Sequence, residues 1–185
     1  MKKVLITGAG SYIGTSFEHY LTEHYPGMYD VCTVDMRSDG WRNMAFRGYD
    51  VVFHVAGIAH IKETDENAEL YYKVNRDLTV ECAKKALSEQ VPHFVFLSSM
   101  SVYGMNSGRI IKETEPSPTT NYGKSKLEAE NGLNILANQF PNTFTVAILR
   151  PPMIYGKGCK GNYNALKKIA LSVPLFPDII NRRSM

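Results

Sequence analysis

Cysteine is scarce in this 185-residue chain: Cys32, Cys82 and Cys159 are far apart, odd in number and without a C-x-x-C spacing. That excludes a disulfide framework, gives no metal site and points to a reducing cytoplasm. Long apolar runs are missing too. Nothing approaches the ~18 consecutive apolar residues of a membrane span, and glycines interrupt the apolar start of "MKKVLITGAG" before any small-residue cleavage site, so no signal peptide is indicated. Charge of one sign is not concentrated: 21 Lys and Arg are scattered among 18 Asp and Glu, leaving a formal charge of +3 and no basic stripe for nucleic acid. Internal repeats and low-complexity stretches are absent as well. What is present, 44% hydrophobic residues, suffices for one substantial core, and the chain reads as a soluble single domain without a nucleic-acid or membrane partner.

Short β-rich apolar runs at residues 3–7, 30–35, 50–56, 93–98 and 143–150 predict strands buried on both faces. Between them, residues 12–25, 67–88 and 122–139 predict helices long enough to cross back over a sheet. This alternation predicts an α/β fold with a parallel, doubly wound sheet. Residues 36–48 leave room for one short helix, 104–120 read as a long loop rich in Gly, Ser, Thr and Pro, and 162–172 allow a further helix.

The first strand runs into "LITGAGSYIG". A pyrophosphate site needs backbone N–H groups free of side-chain bulk, followed by a helix whose positive N-terminal end faces the phosphates. Gly8, Gly10 and Gly14 provide the first condition, but a G-x-G-x-x-G spacing would want glycine where Ile13 stands. A G-x-x-G-x-x-G spacing fits Gly8 and Gly14 with Ser11 in the middle slot, while a tight turn without a ligand is the alternative. The second strand ends at Asp35, about twenty residues on, where a carboxylate accepts hydrogen bonds from an adenosine ribose and repels a 2′-phosphate. NAD is therefore favoured over NADP, although Arg37 offsets part of that repulsion and Asp35 could equally be a solvated strand end.

The fourth strand runs into "FLSSMSVYG", and the helix after the long loop begins "NYGKSKLEAE". Tyr122 and Lys126 are four apart and share a helix face, and an ammonium near a phenol favours the phenolate, bringing a pKa of about 10 toward that of a useful base. By itself such a pair is common on helix surfaces.

Taken in order, "ITGAGSYIG", "VVFHVAGIAH", "KVN", "FLSSMSVYG", "YGKSK" and "LRPPMIYGKG" make the chain resemble the extended short-chain dehydrogenase/reductase family, in its nucleotide-sugar epimerase/dehydratase branch. The resemblance implies a Rossmann-type sheet with helices on both faces. It makes Tyr122 the catalytic base, Lys126 the group that holds the nicotinamide ribose and lowers the tyrosine pKa, and Ser99 the hydrogen-bond partner of the reacting hydroxyl, with Ser101 as the fallback and Ser98 a strand-end residue. For the cofactor it implies Gly8, Gly10, Ser11, Tyr12, Ile13 and Gly14 in the turn, Asp35 and Arg37 at the ribose, and Ala56, Gly57, Asn75 and Pro152 around the reactive end. Arg150 and Tyr155 match the segment near nicotinamide and substrate; Tyr103 could be packing, and His54 and His60 read as a strand and a loop residue without a part in proton transfer.

The implied activity is NAD-dependent 4-epimerisation of a UDP-hexose or UDP-N-acetylhexosamine by transient oxidation. An NAD(P)H-dependent reductase of a ketosugar or other carbonyl is the second reading, and a non-catalytic dinucleotide-binding regulatory protein the third, opposed by retention of Tyr122 and Lys126. A 4,6-dehydratase is disfavoured because Met100 and Ser101 occupy the family's acidic-pair positions. Ser11 in place of glycine and a short segment between strands two and three, without the aspartates that precede the adenine pocket, depart from the family pattern. Residues 1–185 are expected to form one NAD(P)-binding domain whose last stretch, 156–185, opens a substrate-binding region otherwise absent, so the chain is expected to be an N-terminal piece of a longer enzyme and poorly active alone. A homodimer through the helices at 67–88 and 122–139 is also implied.

Overall fold

Five parallel strands form one sheet in the order β2-β1-β3-β4-β5. They are β1 (Lys2–Thr7), β2 (Tyr29–Val34), β3 (Val51–His54), β4 (His93–Leu97) and β5 (Thr145–Leu149). The computed structural model describes residues 1–59, 61–156, 158–159, 168 and 170–172. His60, most of the helix expected over 162–172 and the closing "NRRSM" lie outside the described residues.

Two strands are shorter than their apolar runs. β3 ends at His54, opposite Thr7, because β1 turns away at Gly8 and leaves Ala56 without a ladder partner. β5 begins at Thr145 because the Thr143 and Phe144 amides both donate to the Phe140 carbonyl, finishing the preceding helix.

The helices are α1 (Tyr12–His24), α2 (Gly40–Asn43), α3 (Ala68–Tyr71), α4 (Leu78–Ser88) and α5 (Asn121–Gln139). The single helix expected over 67–88 follows one path but changes pitch: a 3₁₀ turn Asp65–Asn67 leads into α3, and a π-helical stretch Tyr72–Asp77 joins α3 to α4. Residues 104–120 form the expected loop, entered through a 3₁₀ turn Met100–Tyr103.

One face of the sheet, with Leu5, Val52, Phe94 and Phe96, packs under α4 and α5 through Cys82, Ala83, Ala86, Ala129, Leu133 and Leu136. The spacing of Ala129, Leu133 and Leu136 is the stripe of an amphipathic helix, and each fully buried large side chain here contributes roughly 1.5–3 kcal/mol. The opposite face, with Val4, Ile6 and Phe53, packs under α1 through Ile13 and Phe17. Burial on both faces therefore holds for the central strands but not for the edges: Thr145, Ala147 and Leu149 of β5 are exposed, α1 being the helix that covers this face among the described residues.

Among the described residues no helix is long and apolar enough to cross a membrane, and no cluster of three metal-ligating side chains occurs. Because every strand runs the same way, Gly8, Asp35, Ala56, Ser99 and Arg150 leave the sheet at its carboxyl edge.

Candidate active site

The strand order reverses between β1 and β3, which in an open α/β sheet opens a crevice at the carboxyl ends. Gly8 lines it at φ +97°, and a Cβ there would stand 3.0 Å from the Ala56 amide nitrogen, so both the turn and the approach of β3 require glycine. Gly10 also has positive φ, +72°, but faces open space. Gly14 packs against Ile6, and the Ser11 side chain caps α1 by accepting from the Gly14 amide at 3.1 Å. Ser11 thus uses a lone pair on its own helix and keeps its hydroxyl proton, while the first-turn N–H groups of Tyr12 and Ile13 lie before the first intrahelical bond. Ile13 packs inward with Ile6 and Phe53. Tyr12 reaches across to the segment after β5, where a Cβ on Gly156 would stand 2.4 Å from its hydroxyl. A glycine cradle, a capped helix end and a crevice at the strand-order reversal fit a dinucleotide pyrophosphate.

Asp35 follows β2 at the crevice rim, but it is not an open acceptor. The Arg37 amide and Nε both donate to Asp35 Oδ1 at 2.9 Å, and the rest of the guanidinium engages Oδ2. These bonds hold the Asp35 carboxyl down at about 2. Both groups are exposed, so a ribose diol or a 2′-phosphate would meet the pair rather than either residue alone.

The catalytic candidates converge on the carboxyl end of β4. Thr120 caps α5, and Gly123 brings the helix against the 3₁₀ turn, where a Cβ would stand 2.6 Å from the Ser101 carbonyl. Ser99 caps that turn by accepting from the Ser101 amide at 3.1 Å. Burial raises the Tyr122 phenol above its ordinary pKa, while hydrogen bonding with Ser99 works the other way. Lys126 is buried; its Nζ donates to the Leu97 carbonyl at 2.9 Å and sits 4.7 Å over the Phe96 ring. Burial pushes it down to about 8 against the pull of Glu130. The depression of the tyrosine pKa expected from Lys126 does not show: one N–H of the ammonium is taken by the Leu97 carbonyl, and burial raises the phenol.

Asn75 is fully buried in the π-helical stretch. Its side chain grips the loop after β3 from both sides, accepting from the Ile58 amide at 2.9 Å and donating to the Ile58 carbonyl at 3.0 Å. A Cβ on Gly57 would stand 2.9 Å from Asn75 Oδ1 and 3.3 Å from Lys126 Nζ, so Ala56, Gly57, Asn75 and Lys126 share one wall of the crevice.

His54 closes a polar chain beneath that wall. Thr79 Oγ1 donates to the Asn75 carbonyl, so it accepts from His54 Nε2 at 3.0 Å, and the opposite ring nitrogen Nδ1 accepts from Thr7 Oγ1 at 2.7 Å. Burial, with the Lys126 charge adding to it, holds His54 down at about 3. Below pH 6.5 the unfolded chain binds a proton that the native state refuses, so stability falls as pH drops from 6.5 toward 3, at up to about 1.4 kcal/mol per pH unit. Urea titrations between pH 8 and 4 should show this acid limb and a shallower one in His54→Gln; equal slopes would remove His54 from the effect.

Sequence reasoning missed two carboxylates. Glu130 is 1% exposed and accepts from Ser98 Oγ and, at 3.0 Å, from Arg150 Nε, while Arg150 Nη1 donates to Tyr103 Oη at 2.6 Å. Its signal was legible, four residues beyond Lys126 on the same face of α5. Glu63, in the loop after β3, accepts from the Asn121 and Tyr122 amides at 3.0 and 2.9 Å. Pro152 is exposed beyond β5, and the neighbouring Pro151 carbonyl accepts the Met100 amide, next to Ser99.

The model of the NAD dependent epimerase/dehydratase family matches residues 4–173. The chain belongs to that family. This family member is 30% identical over 211 residues to a UDP-glucose 4-epimerase of Vibrio cholerae, covering 100% of the chain and 62% of the relative. It is 30% identical over 181 residues to an N-acetyl-alpha-D-glucosaminyl-diphospho-ditrans,octacis-undecaprenol 4-epimerase of Escherichia coli O157:H7, covering 90% of the chain and 54% of the relative. The chain thus spans little more than half the length of these curated relatives. Among solved structures, a UDP-glucuronic acid 4-epimerase from Bacillus cereus in complex with NAD superposes with a TM-score of 0.78 at 23% identity, over 92% of the chain and 63% of that structure, a likeness of fold. MoeE5 in complex with UDP-glucose and NAD superposes with a TM-score of 0.75 at 25% identity, over 85% of the chain and 56% of that structure.

Proposed function

We propose that the chain is the cofactor-binding part of an NAD-dependent nucleotide-sugar 4-epimerase acting on a UDP-hexose or UDP-N-acetylhexosamine. The observation that carries this reading is the convergence of Ser99, Tyr122 and Lys126 beside the Gly8–Ala56 crevice. Bound NAD would supply a hydride acceptor that can return the hydride. The turn from Gly8 to Gly14 would hold the pyrophosphate, the Asp35–Arg37 pair the adenosine ribose, and the remaining N–H groups of Lys126 the nicotinamide ribose. As the C4–H bond gives up its electron pair as hydride, Tyr122 takes the C4 hydroxyl proton and a ketone forms; Ser99 holds that oxygen. On the return, with the ketone turned over, Tyr122 would give the proton back to the same oxygen while Ser99 still holds it. A pocket of about 130 Å³ lined by Ser101, Gly104, Asn106 and Thr119 opens beside Ser99 and would admit part of the sugar.

In this reading the substrate-binding region starts at residues 156–185, and a homodimer would meet through α4 and α5, where Ile135 is 58% exposed. The Asp35–Arg37 pair presents a guanidinium as well as a carboxylate to the adenosine ribose, which favours a second reading, a ketosugar reductase using NADPH in which Tyr122 only donates.

The complete protein, purified and denatured, should release NAD in near-stoichiometric amount by mass spectrometry. The native protein should interconvert UDP-glucose and UDP-galactose, or their N-acetyl counterparts, by proton NMR without added cofactor. Release of NADP, with consumption of added reduced cofactor, would replace this reading with the reductase. Absence of both dinucleotides and of any turnover would overturn both readings.

A further inference from the structure

We propose that Glu63 is a positioning residue for proton transfer, fastening the loop that walls the dinucleotide crevice to the first turn of the helix that presents Tyr122. The inference rests on reading Tyr122 as the proton-transferring group. A helix start leaves its first N–H groups without intrahelical partners. In α5, Thr120 Oγ1 takes the Gly123 amide at 3.0 Å, a local cap of the ordinary kind. The Asn121 and Tyr122 amides are taken instead by the two oxygens of Glu63, which stands 58 and 59 residues upstream. Among the described residues no lysine or arginine pairs with this carboxylate. Its charge is directed wholly at the positive end of a 19-residue helix through two charge-assisted bonds.

The described residues of the loop that presents Glu63 are themselves held. It starts at Ala56 and Gly57 on the crevice wall, is gripped at Ile58 by Asn75, and is held at Ile61, whose carbonyl accepts from Tyr71 Oη at 2.6 Å. The Tyr71 ring meets Tyr122 edge to face with centroids 6.4 Å apart. Helix ends fray, and Tyr122 is the second residue of its helix. Glu63 is what makes that turn part of the crevice wall and keeps the phenol beside Ser99.

The test uses the complete protein carrying ¹³Cζ-labelled tyrosine, with the Tyr122 resonance assigned through Tyr122→Phe. In the wild type, Ser99→Ala should shift that resonance. In a Glu63→Gln background, where one acceptor becomes an amide donor facing an N–H, the same Ser99→Ala change should shift it by less than half as much. Turnover of Glu63→Gln should fall about 10- to 100-fold, as for a small misplacement of a reacting group, with KM and NAD affinity within about threefold, and Glu63→Asp should restore part of it. An unchanged Ser99→Ala shift in the Glu63→Gln background, or turnover within about twofold of wild type, would overturn the proposal. Should the complete protein turn over no nucleotide sugar, the functional reading fails, and the resonance shifts alone decide the role of Glu63.

Discussion

Replacing Tyr122 with phenylalanine in the complete protein should lower turnover by about 10²- to 10⁴-fold, the range that a positioned proton-transfer group contributes. The ring can stay where it is: its edge-to-face contact with Tyr71 does not involve the hydroxyl, and the Glu63 bond is to the Tyr122 backbone. NAD affinity should therefore hold within a few-fold, because the pyrophosphate cradle at Gly8 and the Lys126 ammonium are untouched. A kcat that collapses while dinucleotide binding persists, followed by NMR of the sugar and by calorimetry with NAD, is the expected pairing. Turnover within about tenfold of wild type would remove Tyr122 from the chemistry.

Glu130→Ala should destabilise the fold by about 3–5 kcal/mol, the usual result of removing one partner from a buried ion pair. Glu130 is 1% exposed and receives both Arg150 and Ser98, so its loss strips the Ser98 hydroxyl of its acceptor and leaves the half-buried guanidinium with the Tyr103 hydroxyl alone. Replacing both charges, Glu130→Met with Arg150→Met, should recover most of the loss, since apolar groups of similar volume avoid the desolvation that the ions suffer. The double variant should nevertheless bind NAD poorly. Glu130 also supports the charge on buried Lys126, which burial already pushes down to about 8, and without it the ammonium gives up its proton more readily. Urea unfolding and NAD calorimetry on the three proteins separate the two effects. A single variant within about 1 kcal/mol of wild type would show that the pair does not hold these elements together.

Much of this was legible because local rules govern it. The glycine spacing and the alternation of apolar runs place the crevice, and a four-residue spacing puts Tyr122 and Lys126 on one face. What escaped depends on pairing at a distance. His54 reads as a plain strand residue until the sheet sets it 2.7 Å from Thr7, 47 residues away, and the helix sets it against Thr79. Glu63 looks like one of many loop carboxylates until α5 arrives, and Asn75 resembles a solvated helix polar group until the loop folds over it. The rise of the Tyr122 pKa is of the same kind: the spacing shows which charge is near, but not how deeply the phenol is buried.

The π-helical stretch Tyr72–Asp77 acts as a phase adjuster in the long helix between β3 and β4. Upstream, Tyr71 must face the Ile61 carbonyl; within it, Asn75 must face Ile58; downstream, Thr79 must meet His54 while Cys82, Ala83 and Ala86 cover the sheet. Each residue of an α-helix advances about 100° around the axis. Removing one residue from the wide turn would therefore act as a rotation of everything before it against everything after it, breaking the grip on the crevice loop while leaving the helix content almost unchanged. In this part of the chain, residue count is a structural constraint in its own right, beside the identities of Tyr71, Asn75 and Thr79.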